Sequence, residues 1–231
     1  MSGMQVRLAD LDRVASDLAN VSTAGYKAER SSTSAAERGL FVRELDSAID
    51  VMSDGHRVDF RGGALTATGR DLDVAIDGLG FFVIQTPEGL RYTRDGAFMR
   101  RSDGRLTTRD GYPVMGESGE IKLGKGLVKI AEDGTVREDD ALAGRLKVVT
   151  FNAAGDIARE SGARFRAADS VTPAPSEARV VGGSLEAANV SVVDRMAALT
   201  EISRAFEGLQ RGISVLANDI DGRAISELGR R

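Results

Sequence analysis

Both ends of this chain carry apolar residues at alternating spacings of four and three, and this pattern constrains the fold more than any other feature. Near the N-terminus the pattern covers Met4, Leu8, Leu11, Ala15 and Leu18. Near the C-terminus it covers Leu199, Ile202, Phe206, Leu209, Ile213, Leu216 and Ile220. Such spacing places the side chains on one narrow stripe of a helix, the seam that coiled-coil helices bury against each other. We therefore predict two terminal coiled-coil helices whose stripes form an assembly interface.

The N-terminal pattern is short. It covers only about two heptads, and an isolated helix of that length is unstable because its first turn is costly to form. It therefore needs the C-terminal helix, a neighbouring subunit or both as partners. The alternative interpretation is that both helices pack on the middle of the chain as ordinary amphipathic helices.

The middle of the chain has the pattern of short β-strands. Apolar runs at 72–76, 81–86 and 90–93 are followed by four Asp-Gly pairs, at 95–96, 103–104, 110–111 and 133–134. Asp-Gly favours tight turns, so these segments predict hairpins and an antiparallel β-domain. The Gly-Leu-Gly sequence at 78–80 lacks the third glycine of a phosphate-binding loop and precedes a strand, so we expect a tight hairpin turn there.

The predicted fold class is α+β, with discontinuous terminal coiled-coil helices flanking a central, mainly antiparallel β-domain. Linkers are indicated by a run of small polar residues at 31–36 and by Thr-Pro-Ala-Pro at 172–175. The predicted organisation is an N-terminal helix in 1–30, a linker and extended segment in 31–70 and a β-rich domain in 71–170. A second linker then covers 171–190, and the C-terminal helix occupies 191–231.

Composition argues against several functional classes. The 231 residues include no Cys and a single His, His56, so neither thiolate chemistry nor a multi-histidine metal site fits one copy of the chain. The net charge of −4 and the lack of a long basic run argue against nucleic-acid binding. We expect no catalytic residues, no cofactor, no metal and no small-molecule substrate, and we do not expect an enzyme. No cleavable secretory signal is visible at the N-terminus.

Three motifs resemble the bacterial flagellar rod and hook family. Residues 15–27 are similar to its N-terminal signature, at Asn20, Thr23, Gly25 and Lys27 among others. Residues 185–190, Leu-Glu-Ala-Ala-Asn-Val with Asn189, are similar to its C-terminal signature. Residues 72–82, with Gly78, Gly80 and Phe81, resemble the signature of its β-domain, and Tyr-Thr-Arg-Asp-Gly-Ala-Phe at 92–98 extends the match. Asp17 stands where the family commonly has the first of two paired Asn residues.

The resemblance implies a structural subunit of the flagellar basal-body rod, polymerising through its terminal helices for motility. It implies copies of this chain and other rod proteins as partners, together with the flagellar export apparatus. The location would be the basal body in the periplasm, reached without a cleavable signal peptide. The terminal helices would form the inner tube of the rod and the β-domain an outer layer.

Alternatives remain open at this point. The chain is short for a hook protein, and residues 111–116 and 144–149 look most similar to the proximal-rod type, with a distal-rod or hook-type subunit as the alternative. Outside the family, the alternatives are a periplasmic β-domain adaptor and a carbohydrate-active enzyme dimerised by its terminal helices. We also expect the terminal helices to be largely disordered in the isolated subunit, because a stripe without a partner buries too little area to offset chain entropy.

Overall fold

The computed structural model describes residues 3–30, 57–152, 156–208 and 211. The chain divides into two compact units. Met1–Ala19 and Ser191–Arg231 form the helical unit, and Asn20–Val190 form the β-rich unit. The predicted α+β class is confirmed, since the described residues are mainly antiparallel β-structure with one helix near each end. Coiled-coil pairing of those helices stays a prediction.

The helical unit has two described helices. Helix α1 is Gly3–Ala19, and helix α2 covers 192–208. Ser191 caps α2, because its Oγ accepts a hydrogen bond from the backbone N–H of Asp194 at 3.3 Å. An exposed ion pair of 3.2 Å joins Glu207 to Arg211, one turn along the chain. Helix α2 begins one residue after the predicted start at 191, and its predicted end near residue 228 lies outside the described residues. Among the described residues, no helix is long and apolar enough to cross a membrane.

The described residues of the β-rich unit form nineteen short strands. The first ten are β1 Glu29–Arg30, β2 Arg57–Val58, β3 Leu65–Ala67, β4 Val74–Asp77, β5 Phe81–Thr86, β6 Gly89–Thr93, β7 Met99–Arg100, β8 Leu106–Thr107, β9 Met115–Gly116 and β10 Gly119–Glu120. The other nine are β11 Val128–Ile130, β12 Thr135–Glu138, β13 Ala141–Arg145, β14 Val148–Thr150, β15 Ile157–Ser161, β16 Arg164–Ala167, β17 Ala174–Pro175, β18 Arg179–Gly182 and β19 Ser184–Glu186.

The main sheet has six strands in the order β15-β16-β6-β5-β14-β17, and all of its pairs are antiparallel. Its central strand β5 is buried on both faces. Because successive side chains of a strand point to opposite faces, Phe81 and Phe82 enter two different apolar clusters. Phe82 packs edge-on against Phe98 at 5.1 Å between ring centroids, and Phe81 packs against Phe165 at 5.4 Å. These two clusters form the core of the unit.

Three strands lie within the segment 171–190, which the sequence indicated as a linker. The prolines that suggested a linker are compatible with β17, because β17 is an edge strand of the six-stranded sheet and proline is tolerated at edges. Strand β18 pairs with β4, and β19 pairs with β3. Strands from both ends of the β-rich unit therefore pair with each other, a long-range feature that a local composition signal does not detect.

The Gly-Leu-Gly sequence at 78–80 does not form the predicted hairpin turn. It connects β4 to β5, and these strands belong to different sheets, since β4 pairs with β18 whereas β5 pairs with β6 and β14. Gly78 has a φ of 118°, a conformation that favours glycine. The segment is a corner between two sheets, and glycine-based turn signals do not distinguish a corner from a hairpin.

Candidate functional site

All three sequence motifs meet at one buried carboxylate, that of Glu186. Its Oε1 forms an ion pair with Nζ of Lys27, 159 residues away in sequence. The same oxygen accepts a hydrogen bond from the backbone N–H of Gly63 at 2.8 Å. Its Oε2 lies 3.1 Å from Nη1 of Arg94. The side chains of Lys27, Arg94 and Glu186, here called the Glu186 cluster, are at most 2 % exposed.

The two cations of the Glu186 cluster also bind backbone carbonyls. Lys27 Nζ donates to the carbonyl of Arg61 at 2.9 Å. Arg94 donates to the carbonyls of Ile76 at 3.1 Å and of Gly78 at 2.6 Å. Burial lowers the pKa of Lys27 and of Arg94 against the opposing attraction of Glu186. These hydrogen bonds stabilise the charged forms, because a buried charge is tolerated only when it is paired and hydrogen-bonded.

Gly25 brings the N-terminal motif against Arg94. Its backbone N–H donates to the carbonyl of Glu186 at 2.7 Å. Its φ of 66° is the left-handed conformation expected from its position after the first helix. A Cβ at this position would lie 2.1 Å from the carbonyl carbon of Arg94. Glycine is therefore required here both by conformation and by the close approach of another backbone.

Asn189 joins the C-terminal motif to the N-terminal motif through hydrogen bonds. Its Oδ1 accepts a hydrogen bond from the backbone N–H of Ala28 at 2.6 Å. Its Nδ2 donates to the carbonyls of Asp59 at 2.8 Å and Arg61 at 3.1 Å. The backbone N–H of Asn189 donates to the carbonyl of Tyr26 at 3.2 Å. The segment that follows α1 and the segment that precedes α2 are thus held side by side within the β-rich unit.

The remaining motif residues hold turns and packing nearby. Thr23 closes a turn after α1, with its N–H 2.9 Å from the carbonyl of Asn20 and its hydroxyl 3.3 Å from that residue's Oδ1. Phe81 lies under the guanidinium of Arg94, 5.4 Å from ring centroid to Cζ. A Cβ at Gly80 would lie 2.8 Å from Oγ of Ser176. The structure therefore assigns structural contacts to all eight motif residues named from the sequence.

Arg159 on strand β15 binds the segment that follows α1, and no sequence pattern indicated this role. Its Nε donates to Glu29 at 2.7 Å, and its Nη2 donates to the carbonyl of Lys27. Its guanidinium lies 4.2 Å from the ring centroid of Tyr26. Arg159 lies in none of the three motifs. An arginine on an otherwise unremarkable strand gives no local signal for these contacts.

The helical unit contains an ion pair between the two terminal helices. Asp17 on α1 has a side chain that is 1 % exposed, and its Oδ2 lies 3.1 Å from Nε of Arg195 on α2. Sequence reasoning did not include Asp17 in the apolar stripe, because a charged residue interrupts the pattern. It also omitted Val14, which is 1 % exposed. Position 14 is adjacent to the predicted stripe member Ala15, so a stripe one residue wider would have included it.

The predicted interface residues differ in exposure. Ile202 is buried, at 8 % exposed, whereas Leu8 is 46 % exposed and Ala15 is also exposed. Four of them are half-buried, namely Leu11, Leu18, Leu199 and Phe206. Four others, Leu209, Ile213, Leu216 and Ile220, lie outside the described residues, and so does the side chain of Met4. Their shared role in assembly stays a prediction.

The charged groups of the Glu186 cluster hold parts of the chain together. Its charged atoms point at one another and at backbone carbonyls. A general acid or base must instead reach a proton on a bound substrate. The cluster joins three distant parts of the chain, and this is what the arrangement accomplishes.

Comparison with known proteins gives matches over nearly the whole chain. Residues 75–138 match the family described as the flagellar hook protein FlgE/F/G D1 domain. Residues 181–226 match the family described as the flagellar basal body rod FlgEFG protein C-terminal region. These two matches contain Arg94 and Glu186, so each family region contributes one member of the Glu186 cluster.

Individual relatives agree with the family matches. The flagellar basal-body rod protein FlgF of Caulobacter vibrioides is 33% identical over 96% of this chain and 92% of its own length. FlgF of Escherichia coli is 34% identical over 91% of this chain and 88% of its own length. The rod protein FlgG of Bacillus subtilis is 32% identical over 90% of this chain and 89% of its own length. The chain belongs to the family of flagellar basal-body rod proteins.

Proposed function

We propose that this structural, non-enzymatic subunit of the flagellar basal-body rod polymerises through its terminal helices. The observation that carries the proposal is apolar surface left exposed on both helices. Leu8 on α1 is 46 % exposed, and on α2 Val193 is 76 % and Met196 is 55 % exposed. The Asp17–Arg195 ion pair uses other positions on the same helices. The two helices can therefore pair within the subunit and still present apolar side chains to a neighbour.

The partners in this proposal are copies of this chain and other rod proteins of the same family. Contacts between different surfaces of successive subunits do not close into a ring and produce a helical filament. Within the family, the proximal-rod position is favoured, since residues 111–116 and 144–149 look most similar to that type. Several of the matched relatives are FlgF proteins, at 28–34% identity.

Delivery to the rod is part of the same proposal. We place the assembled subunit in the periplasmic part of the basal body and assign its export to the flagellar export apparatus. The absence of cysteine from the sequence suits a chain threaded through an export channel, because no disulfide can form before assembly.

The test compares two leucines of equal exposure in the two units. Leu8→Asp places a charge on the exposed stripe of α1, and Leu90→Asp places one on the β5–β6 hairpin, where Leu90 is 44 % exposed. Each variant is expressed in a strain that lacks its chromosomal copy of this protein. We expect Leu8→Asp to abolish swimming and rod incorporation and Leu90→Asp to preserve both. Normal incorporation of Leu8→Asp would contradict the proposal.

Protein levels and folding are checked on the same variants. Both substitutions change exposed side chains, so circular dichroism and the thermal transition of the purified proteins should match those of the unsubstituted chain. A Leu8→Asp protein that is secreted, folded and yet absent from rods separates an assembly defect from a folding or export defect.

A further inference from the structure

The N-terminal helix α1 has two distinct faces. Val14 is 1 % exposed, Asp17 is 0 % exposed and Asp10 is half-buried. These three residues follow one another at spacings of four and three, so they share one side of the helix, here called the inner face. The apolar stripe, by contrast, includes Leu8, which is 46 % exposed, and Ala15, which is also exposed. The side of α1 that is buried within the subunit is therefore not the apolar stripe.

The angle between the two faces follows from helix geometry. Successive residues of an α-helix are separated by about 100°, since one turn takes about 3.6 residues. On that basis the inner face and the centre of the apolar stripe are separated by about 110°, close to a third of a turn. Leu11 and Leu18 lie at the edge of the stripe nearest the inner face, and both are half-buried, as this angle requires. Rotation of α1 by that angle would bury the apolar stripe and expose the inner face.

The C-terminal helix α2 buries its stripe instead. Ile202 is 8 % exposed, and Leu199 and Phe206 are half-buried. Arg195 lies four residues before Leu199, so it continues the stripe of α2 by one step and occupies a seam position. Its side chain is 22 % exposed. The first position of this buried stripe is therefore a cation.

The Asp17–Arg195 ion pair decides which side of α1 faces this cation. Oδ2 of Asp17 lies 3.1 Å from Nε of Arg195, and the side chain of Asp17 is 1 % exposed. If α1 turned its apolar stripe toward α2, Asp17 would leave Arg195, and the guanidinium would meet alanine and leucine side chains in its place. A largely buried cation without a counter-charge is costly, so the ion pair disfavours that arrangement.

An ion pair at such a position selects one arrangement rather than adding much stability. The attraction within a buried pair roughly offsets the cost of desolvation. Charged or polar groups at seam positions nevertheless fix the register and orientation of paired helices. Packing of the two stripes against each other would bury more apolar area and is what the apolar pattern alone favours. The ion pair therefore acts against a pairing that would use up the stripe of α1 inside the subunit.

We propose that Asp17 and Arg195 are positioning residues for assembly. Their ion pair fixes the rotation of α1, so that its apolar stripe stays available to a neighbouring subunit. This inference rests on the proposed polymerisation, in which the stripe contacts that neighbour. It adds the reason why the stripe is not already buried against α2.

Thiol labelling of single-cysteine variants measures which side of α1 is exposed, since the full-length chain has no cysteine of its own. Val14→Cys reports on the inner face, and Ala15→Cys reports on the apolar stripe at the adjacent position. With the ion pair intact, we expect N-ethylmaleimide to label Ala15→Cys about tenfold faster than Val14→Cys, a modest ratio for a helix that opens frequently. Equal rates would overturn the proposal, because α1 would then have no preferred rotation.

The same labelling is repeated without the anion. Asp17→Ala removes the carboxylate and leaves a residue that favours the helix. We expect it to lower the labelling ratio to about one or below, because the apolar stripe can then turn toward α2. The matched control is Asp12→Ala, which removes an exposed aspartate from the same helix and should leave the ratio unchanged. A ratio that does not respond to Asp17→Ala would contradict the positioning role.

Exchange of the two charges separates positioning from a general sensitivity of the site. Asp17→Arg places two cations together and should lower both the labelling ratio and rod incorporation. Asp17→Arg combined with Arg195→Asp forms the pair again with opposite polarity and should restore both. An exchanged pair that restores neither the ratio nor incorporation would count against the proposal.

Failure of this inference is distinguishable from failure of the proposed function. If the labelling ratio does not depend on Asp17 while Leu8→Asp still blocks rod incorporation, the positioning inference is wrong and polymerisation through the helices stands. If Leu8→Asp is incorporated normally, the proposed function fails, and the role of the ion pair in assembly fails with it.

Discussion

At the scale of single residues, Glu186 is the anion that joins Lys27 and Arg94 inside the β-rich unit. It is the only carboxylate that forms ion pairs with Lys27 and Arg94 among the described residues, and all three side chains are buried. The attraction within such a set roughly offsets the cost of desolvation, so the set adds little net stability as a whole. Removing only the anion is different, since two cations then stay buried without a counter-charge.

We therefore expect Glu186→Gln to lower the free energy of unfolding by about 3–5 kcal/mol. The matched control is Glu160→Gln, which breaks the partly exposed pair with Arg91 and should cost at most about 1 kcal/mol. Denaturant unfolding of both variants measures the difference. Equal losses in the two variants would show that the Glu186 cluster does not hold the unit together.

Residue types in the motifs were predictable, but their roles were not. Lys27, Gly25 and Asn189 were singled out from the sequence, whereas Arg94 and Glu186 appeared there only as members of quoted motifs. The Lys27–Glu186 pair spans 159 residues. No local pattern indicates which of 35 acidic residues a given lysine will meet, because that pairing is decided by the sheet topology.

At the scale of elements, the boundary between the helical and β-rich units falls earlier than the sequence indicated. The N-terminal helix was assigned to 1–30, but α1 ends at Ala19 and the β-rich unit begins at Asn20. Residues 20–30 contain Gly25 and Lys27, which contact Arg94 and Glu186. The helical period itself stops before Gly25, but it does not indicate that residues 20–30 belong to the β-rich unit.

Two N-terminal deletions should consequently behave differently. Deletion of 1–19 removes α1 and should leave the β-rich unit folded, with its cooperative thermal transition intact. Deletion of 1–30 also removes Lys27 and the turn at Gly25, and should abolish or strongly lower that transition. Differential scanning calorimetry of the two proteins checks this. A similar transition in both would mean that residues 20–30 are dispensable for the fold.

Elements defined by a local period were predicted well. Helix α1 lies within the segment 1–30 that its apolar spacing indicated, and the strand Phe81–Thr86 coincides with an apolar run. Strands β17 and β18 were not predicted, because β17 contains Pro175 and β18 is a short run within the segment that the prolines indicated as a linker. These two segments are extended because they pair with β14 and β4, and such pairing is not visible in a local pattern.

At the scale of the whole molecule, the subunit combines a β-rich unit that has its own core with terminal helices whose exposed apolar side chains can contact neighbouring subunits. The two buried apolar clusters supply the stability of the first part. For the second part, stability must come from packing, since short helices are marginal on their own. We therefore expect the helices to become fully ordered only in the rod.

Amide hydrogen exchange on the purified monomer tests this account most directly. It compares residues 3–19 and 192–208 with the strands between 74 and 98. We expect rapid amide exchange in both helices. In the strands we expect slow exchange, at a rate close to that set by global unfolding. Helices protected as strongly as the strands would contradict this expectation, since the pairing of α1 with α2 inside the subunit would then be stable without neighbouring subunits.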